Sequence, residues 1–168
     1  MQQATVINIK ITGHGGMGIL KAAGILAEAA FLAGYDVKRS ELHGMSQRGG
    51  SVSSDIRFGK KVFSPMIPDG ETDYLLLMAE DQADACRPEV RTGAEIISSM
   101  MFSSAGLPCK KSLNVVMLGA LSVKLDFHHE IWLDVLKKTF GKELIDINIS
   151  AFNLGRNIMN QSAAEKHP

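Results

Sequence analysis

The chain has 168 residues, of which 45% are apolar and 21% charged, with 18 basic and 18 acidic side chains. This length and composition suit one globular domain with a buried core, so we expect a single domain over residues 1–168. The even charge balance gives no electrostatic case for nucleic acid or an anionic membrane, and no apolar run is long enough to span a bilayer.

The two cysteines, Cys86 and Cys109, lie far apart in the sequence. Two thiols are too few for a four-cysteine zinc or iron–sulfur site, so we expect no metal in this chain. The N-terminal residues show no basic segment followed by an apolar stretch and a cleavage site. We therefore expect a cytoplasmic protein with reduced thiols.

The first half of the chain alternates between strand and helix patterns. Residues 4–12 predict a strand, residues 19–34 predict an Ala-rich helix, and residues 35–41 predict a second strand. After a polar loop, residues 51–65 predict a hairpin that turns near Gly59.

The second half begins with a continuous apolar run at residues 73–79, which is typical of a strand buried on both faces. The patterns that follow predict a helix at 80–90, a strand at 94–99, and helices at 114–125, 129–140 and 151–159. Strands that alternate with helices indicate an α/β protein. We expect a Rossmann-like, three-layer fold whose mostly parallel sheet carries an added antiparallel hairpin.

The stretch GHGGMG places four glycines directly after the first predicted strand: Gly13, Gly15, Gly16 and Gly18, with His14 among them. Three of these glycines match G-x-G-x-x-G. A strand–turn–helix of this kind presents backbone N–H groups and a helix N-terminus, which together bind anions well. His14 would then face either a ligand or solvent.

This glycine turn has two interpretations. One is a site for NAD(P) or a flavin, in which Lys38 and Arg39 on the second strand suit a 2′-phosphate and Glu41 lies at a plausible distance for the ribose. The other is a tight turn that allows close packing of helix on strand. Local spacing alone does not separate them.

The loop after the second predicted strand is rich in polar side chains and glycine. Six of its residues are candidates for contact with a ligand or another subunit: His43, Gly44, Gln47, Arg48, Gly49 and Gly50. If the first strand is central, this loop lies at the sheet edge where α/β proteins bind ligands. Arg48 between glycines suits a phosphate or carboxylate, whereas the plain alternative is an arginine paired with a local carboxylate.

Three further polar residues are candidates for local structural roles. Glu80 and Asp81 follow the buried strand and would face the ligand edge or open a helix, and we favour the helix start. Asn114 is placed to cap the helix that follows it. No catalytic Ser–His–Asp or Cys–His set can be assigned from spacing.

Five segments resemble, in order, the γ-type subunits of 2-oxoacid:ferredoxin oxidoreductases. They are GHGGMG at 13–18, ELHGMSQRGGSVSSDIR at 41–57, SPMIPDGETDYLLLMAE at 64–80, NVVMLGAL at 114–121 and INISAFNLGRN at 147–157. The form HGMSQRGG is most similar to the β subunit of the indolepyruvate branch. The resemblance covers most of residues 4–157.

The resemblance implies a holoenzyme that oxidatively decarboxylates a 2-oxoacid, makes an acyl-CoA from CoA as co-substrate, and passes electrons to ferredoxin. The partner subunits would carry thiamine diphosphate, Mg and iron–sulfur clusters. This chain would hold no cofactor of its own. This chain would dock on the thiamine diphosphate subunit. Its loops at residues 13–18 and 43–50 would border the CoA and substrate side or the subunit interface.

One segment departs from the family pattern. Between the predicted strand at 94–99 and the helix at 114–125 the family carries a longer stretch, with another strand and helix, so no family role is carried into residues 99–112. Two other functions stay open. One is a free-standing NAD(P)- or flavin-binding protein, and the other is a docking module without a ligand.

Overall fold

The computed structural model of the chain describes residues 6–43 and 50–164. Five strands and five α-helices follow one another as β1 (Ile7–His14), α1 (Ile19–Leu32), β2 (Asp36–His43), β3 (Ser51–Gly59), β4 (Thr72–Leu77), α2 (Ala83–Cys86), β5 (Val90–Ser98), α3 (Leu113–Ser122), α4 (His129–Thr139) and α5 (Ile145–Ala164). None of the described helices is both long and apolar enough to cross a bilayer.

The strands form one sheet in the order β2-β3-β1-β4-β5. The β1–β4 and β4–β5 pairs are parallel, whereas β3 runs antiparallel to both β1 and β2. Four strands therefore share one direction and β3 alone is reversed. This confirms the predicted α/β class with a mostly parallel sheet and an antiparallel hairpin.

The position of that hairpin differs from the prediction. Residues 60–65 form no strand, and β3 pairs with β2 instead of turning back at Gly59. Side chains of the sheet form hydrogen bonds with backbone groups of this segment, which would pair with another strand if the segment were itself a strand. Asp36 accepts from the N–H of Val62, and Arg57 donates to the carbonyls of Ser64 and Met66.

The two crossover connections place helices on opposite faces of the sheet. The β1–α1–β2 connection and the β4–α2–β5 connection run in opposite directions along the strand order. Because crossovers between parallel strands are right-handed, α1 and α2 lie on opposite sides. The predicted three layers are present, with a thin second helical layer.

The main core lies on the α1 face. Ile9 and Ile11 of β1 meet the buried alanines of α1, and α3, α4 and α5 complete the same apolar cluster. A chain of aromatic rings runs through it, with centroids 5.3–5.7 Å apart, from Phe58 through Phe127 and Trp132 to Phe152. Such tilted ring pairs stabilise a core beyond the area they bury.

Helices α3 and α5 pack with their backbones in direct contact. A Cβ atom added at Gly119 would collide with the carbonyl of Phe152, and one added at Gly155 would collide with the carbonyl of Val116. Both glycines therefore allow this close approach, and a larger residue at either position would force α5 to shift away from α3.

The opposite face is covered by short turns. The helix predicted over residues 80–90 is divided into a 3₁₀ turn (Glu80–Gln82), the single-turn α2 and a second 3₁₀ turn (Arg87–Glu89). Pro88 lies in the last of these and cannot continue an α-helical hydrogen-bond ladder. Cys86 packs on Leu75 and Leu77 in a small separate cluster.

A buried ion network holds this second face together. The ammonium of Lys10, on the central strand, lies 2.6 Å from Asp55 of β3 and 2.7 Å from Glu89. Burial alone would lower the pKa of Lys10, but the bonds to Asp55 and Glu89 outweigh it and raise the pKa above its ordinary value. Lys10 thus stays charged and ties the 87–89 turn to two strands.

The outer strand β5 is interrupted. Its pairing with β4 shifts register after Val90, and Gly93 takes the left-handed conformation at φ 81°. Regular pairing resumes only from Glu95 to Ser98. No further strand or α-helix lies between β5 and α3, where residues 99–112 form two 3₁₀ turns joined by a loop.

We predict that Gly155→Ala and Gly119→Ala each lower the free energy of unfolding by about 1–3 kcal/mol, because the added methyl groups meet rigid backbone atoms. Urea denaturation of the purified chain would measure the effect. Gly141→Ala is the matched control, since a Cβ there meets nothing within 4 Å. Equal urea midpoints of unfolding for the three variants would contradict the direct backbone contact between α3 and α5.

We also predict that the two thiols react differently with iodoacetamide at about pH 8. Burial raises the pKa of Cys86, which lowers its thiolate fraction at any given pH, and the residue is 5% exposed. Cys109 is half-buried and is expected to be labelled in the folded chain. Mass spectrometry of tryptic peptides would locate the label. In Cys109→Ser, labelling should require unfolding, and rapid native labelling of Cys86 would disprove the packing of α2.

Candidate functional site

Three consecutive residues after β4 join the strand ends at the carboxyl edge of the sheet. Asp81 holds the Nε2 atom of His14 at 2.9 Å, at the end of β1. Gln82 accepts a hydrogen bond of 2.7 Å from the hydroxyl of Ser51, at the start of β3. Glu80 accepts from the hydroxyls of Ser98 and Ser99 at the end of β5.

The favoured interpretation of Glu80 and Asp81 as a helix start is confirmed, since both lie in the first turn of the 3₁₀ helix that leads into α2, and their side chains also reach the carboxyl edge. Their carboxylates are bound by groups from neighbouring strands. Because a carboxylate only accepts, the Nε2 atom of His14 carries a proton. His14 is one-third exposed, so its ring is fixed by Asp81 while still facing the edge.

The glycine turn lies beside this cluster. Gly16 and Gly18 have positive φ angles of 89° and 81°, a conformation that side chains disfavour. The N–H of Gly15 donates to the carbonyl of Gly50 over 3.1 Å, which fastens the turn to the residue before β3. Helix α1 begins after Gly18 without a side-chain cap.

Gly18 also makes room for Asn114 of α3. A Cβ at Gly18 would collide with the amide of Asn114, whose Nδ2 donates to the carbonyl of Gly18 over 3.1 Å. Asn114 lies inside α3, so the predicted capping role is wrong, and its side chain joins α3 to the start of α1. The last glycine of G-x-G-x-x-G thus serves contact between helices.

A cleft of about 560 Å³ opens between the glycine turn and the starts of α3 and α5. Its walls include three kinds of group: the backbone of the turn, apolar side chains, and the cations of Lys21 and Lys111. The ammonium of Lys21 lies 5.1 Å above the ring of Phe140. A second recess of about 400 Å³ adjoins the same turn beside His14 and Val52.

The cleft can bind a ligand that carries both an anionic and an apolar part. Two ammonium groups and an uncapped helix start favour negative charge, and Met17, Met78 and Phe140 offer apolar contact. Within residues 6–43 and 50–164, no three His, Cys, Asp or Glu side chains are grouped as a metal site would need. The arrangement fits a role in binding and orienting a ligand.

The predicted second loop lies only partly within the described residues. His43 ends β2, and its backbone pairs with Val52. Gly50 contacts the glycine turn through its carbonyl. Four candidates, namely Gly44, Gln47, Arg48 and Gly49, lie outside the described residues, so their place beside the glycine turn stays a prediction.

The strand order does not favour a dinucleotide site. In the dinucleotide-binding fold β2 lies next to β1, and an acidic residue at its end reaches the ribose. Here β3 lies between them, so the end of β2 is two strand spacings, about 10 Å, from β1. Lys38 pairs with Asp36 at 2.8 Å and Arg39 with Glu41 at 3.2 Å, so both cations already have carboxylate partners.

Sequence reasoning missed the cleft residues Lys21, Lys111 and Asn148. Lys21 and Lys111 carry no motif, and they line the same cleft only because α1 and α3 start at the same sheet edge. Asn114 had a usable signal, since it is a polar residue at the head of a long apolar run.

Residues 8–108 match the family described as pyruvate ferredoxin/flavodoxin oxidoreductase. The chain is 32% identical to the indolepyruvate oxidoreductase subunit IorB of Thermococcus kodakarensis, over 88% of this chain and 93% of the relative. It is 29% identical to the 2-oxoglutarate synthase subunit KorC of Archaeoglobus fulgidus, over 89% of this chain and 86% of that one. The IorB alignment runs over 188 positions, more than the 168 residues of this chain, so the relative carries additional residues.

Solved structures show the same fold at 20% identity. The keto/oxoacid ferredoxin oxidoreductase γ subunit of Geobacter sulfurreducens superposes with a TM-score of 0.78 over 94% of this chain and 98% of that one. The 2-oxoglutarate:ferredoxin oxidoreductase of Magnetococcus marinus gives 0.82 over 95% of this chain, which spans 32% of that longer chain. Fold and sequence thus agree with the resemblance seen in the motifs, and the chain belongs to the pyruvate ferredoxin/flavodoxin oxidoreductase family.

Proposed function

We propose that this chain is a non-autonomous subunit of a 2-oxoacid:ferredoxin oxidoreductase of the indolepyruvate, or aryl 2-oxoacid, type. The observation that carries the assignment is 32% identity to IorB subunits over nearly their whole length. The substrate named for these relatives is indolepyruvate, and the assembled enzyme would convert such a 2-oxoacid to an acyl-CoA. Electrons would pass to ferredoxin.

The thiamine diphosphate, Mg and iron–sulfur clusters belong to partner subunits in this proposal, and the enzyme is a cytoplasmic heteromer. Together these groups supply the decarboxylation and the electron transfer. This chain docks on the thiamine diphosphate subunit with the carboxyl edge of its sheet. That edge has a cleft with two cationic side chains to which a diffusible ligand can bind. This supports a role of the chain in ligand binding rather than in bond cleavage.

Each described group at the edge has a positioning role in the proposal. The Asp81–His14 pair keeps one imidazole in place beside the glycine turn. Lys21 and Lys111 attract the phosphates of CoA, and the apolar wall of the cleft contacts its uncharged chain. Arg48, which lies outside the described residues, is assigned a further role in the proposal: it steers the carboxylate of the 2-oxoacid or a CoA phosphate.

Purification of the tagged chain from its native host would test the assignment. We expect a partner that carries thiamine diphosphate and a brown iron–sulfur chromophore, and turnover of indolepyruvate only by the complex. The complex should prefer indolepyruvate to pyruvate and 2-oxoglutarate. Oxidation of a 2-oxoacid by the isolated chain would refute the proposal. So would a colourless chain that purifies alone with NAD(P)H or a flavin bound, as calorimetry would detect.

We predict that Arg48→Ala in the assembled enzyme raises the KM for CoA or for the 2-oxoacid about ten- to a hundredfold. The reason is the loss of one charge-assisted hydrogen bond, a contact that contributes about 1.5–3 kcal/mol. Arg87→Ala is the matched control, because Arg87 is 81% exposed and pairs only loosely with Asp84. Native mass spectrometry should show intact assembly in both variants. Identical kinetics in both would remove Arg48 from the site.

A further inference from the structure

Residues 60–71, here called the connecting arm, present apolar side chains to solvent. The arm joins the end of β3 to the start of β4. Phe63 is 89% exposed and Met66 is 58% exposed. Exposed aromatic side chains of this size, next to a second large apolar residue, are typical of interaction surfaces.

The arm is fastened to the sheet in spite of this exposure. Five hydrogen bonds from side chains of β1, β2 and β3 reach its backbone: Asp36 to Val62, Arg57 to Ser64 and Met66, Asp55 to Ile67, and Asn8 to Glu71, with lengths of 2.8–3.1 Å. Val62 is buried and anchors the first part. Phe63 and Met66 are thus held on a fixed backbone, which reduces the entropy cost of binding a partner.

Charged side chains of opposite sign lie at the two ends of the arm. Lys60 and Lys61 follow β3, and Asp69 and Glu71 precede β4. All four are exposed, and within the described ranges no salt bridge joins any of them to another residue, although Lys38 and, to a smaller extent, the nearby Lys61 lower the pKa of the Asp36 carboxyl. Since β1 lies between β3 and β4, the two ends are about two strand spacings, or 10 Å, apart.

This pattern is self-complementary. In an interface with two-fold symmetry, each surface meets a second copy of itself in the reverse direction. A two-fold axis near Phe63 and Met66 would bring the lysines of one copy against Asp69 and Glu71 of the other, at both ends at once. The apolar pair would form the buried centre and the charges the polar rim, as in known protein interfaces.

We propose that the connecting arm is a self-association surface through which two copies of this chain pair. The arm lies at the sheet edge opposite the glycine turn, because β1 and β4 run parallel and the arm precedes β4. Pairing through the arm leaves the carboxyl edge free. Exposed ion pairs contribute little affinity, so they set the register while Phe63 and Met66 supply the attraction.

Sedimentation equilibrium of the full chain would test this self-association. The wild-type mass should rise from one copy to two with concentration. Phe63→Ser should weaken dimerisation at least tenfold, whereas Phe31→Ser, at an exposed phenylalanine of α1, should leave it unchanged. Circular dichroism would confirm that both variants are folded.

Charge reversal gives the decisive comparison. The double variant Lys60→Glu and Lys61→Glu should be monomeric, as should the double variant Asp69→Lys and Glu71→Lys, because each then meets like charge. An equimolar mixture of the two should form dimers again, since opposite charges face one another at both ends. Restoration in the mixture, with neither variant pairing alone, is the expected result.

Three results would overturn the proposal. One is a wild-type chain that stays monomeric at all concentrations and occurs once per complex in native mass spectrometry. Another is dimerisation that none of the arm variants changes. The last is a Phe63→Ser chain that loses the catalytic partner, with its own copy number unaltered, which would assign the arm to that partner. None of these bears on whether the assembled enzyme oxidises indolepyruvate.

Discussion

A single buried ammonium, that of Lys10, decides how the second face of the sheet is covered. The central strand presents isoleucines to the main core and Asn8, Lys10 and Thr12 to the other side. A charge at that depth is stable only with partners, and Asp55 and Glu89 supply them. Because these partners come from β3 and from the turn after α2, a polar network and short turns cover this face where an apolar helix would otherwise pack. Asn8, Arg57 and Asp55 then fix the segment that follows β3.

The carboxyl edge shows how a dinucleotide-type turn can serve another purpose. The reversed strand β3 separates β2 from β1, which removes the neighbour that would hold a ribose. The space left by the missing side chain of Gly18 is filled by Asn114, so the start of α1 is joined to α3. What remains open is a cleft lined by cations and apolar groups, beside a histidine fixed by Asp81. This cleft is the feature on which the proposed role of the chain at a site shared with another subunit rests.

The elements predicted well are those whose pattern reflects burial. The apolar run of β4 and the alanine stripe of α1 both lie in the core, and α4 begins at His129 as expected. The prediction of a strand at residues 60–65 was wrong. A strand needs its backbone groups free to pair with a neighbouring strand, whereas here the side chains of Arg57 and Asp36 bind those groups. The helix expected over residues 80–90 divides into turns, since its side chains bind three strand ends. Lys21 and Lys111 line one cleft only because the fold brings the starts of α1 and α3 to the same edge, so no local sequence pattern marks them.

The interruption in β5 limits how this protein can associate. A continuous outer strand offers a row of unpaired amides and carbonyls, and chains can add to it without end, as in fibrils. In β5 the left-handed Gly93 breaks that row, and only Glu95 to Ser98 keep regular geometry. Bulges of this kind are a recognised protection of sheet edges. Growth by strand addition is therefore disfavoured at this edge, and a subunit awaiting its partners in the cell is guarded against aggregation there.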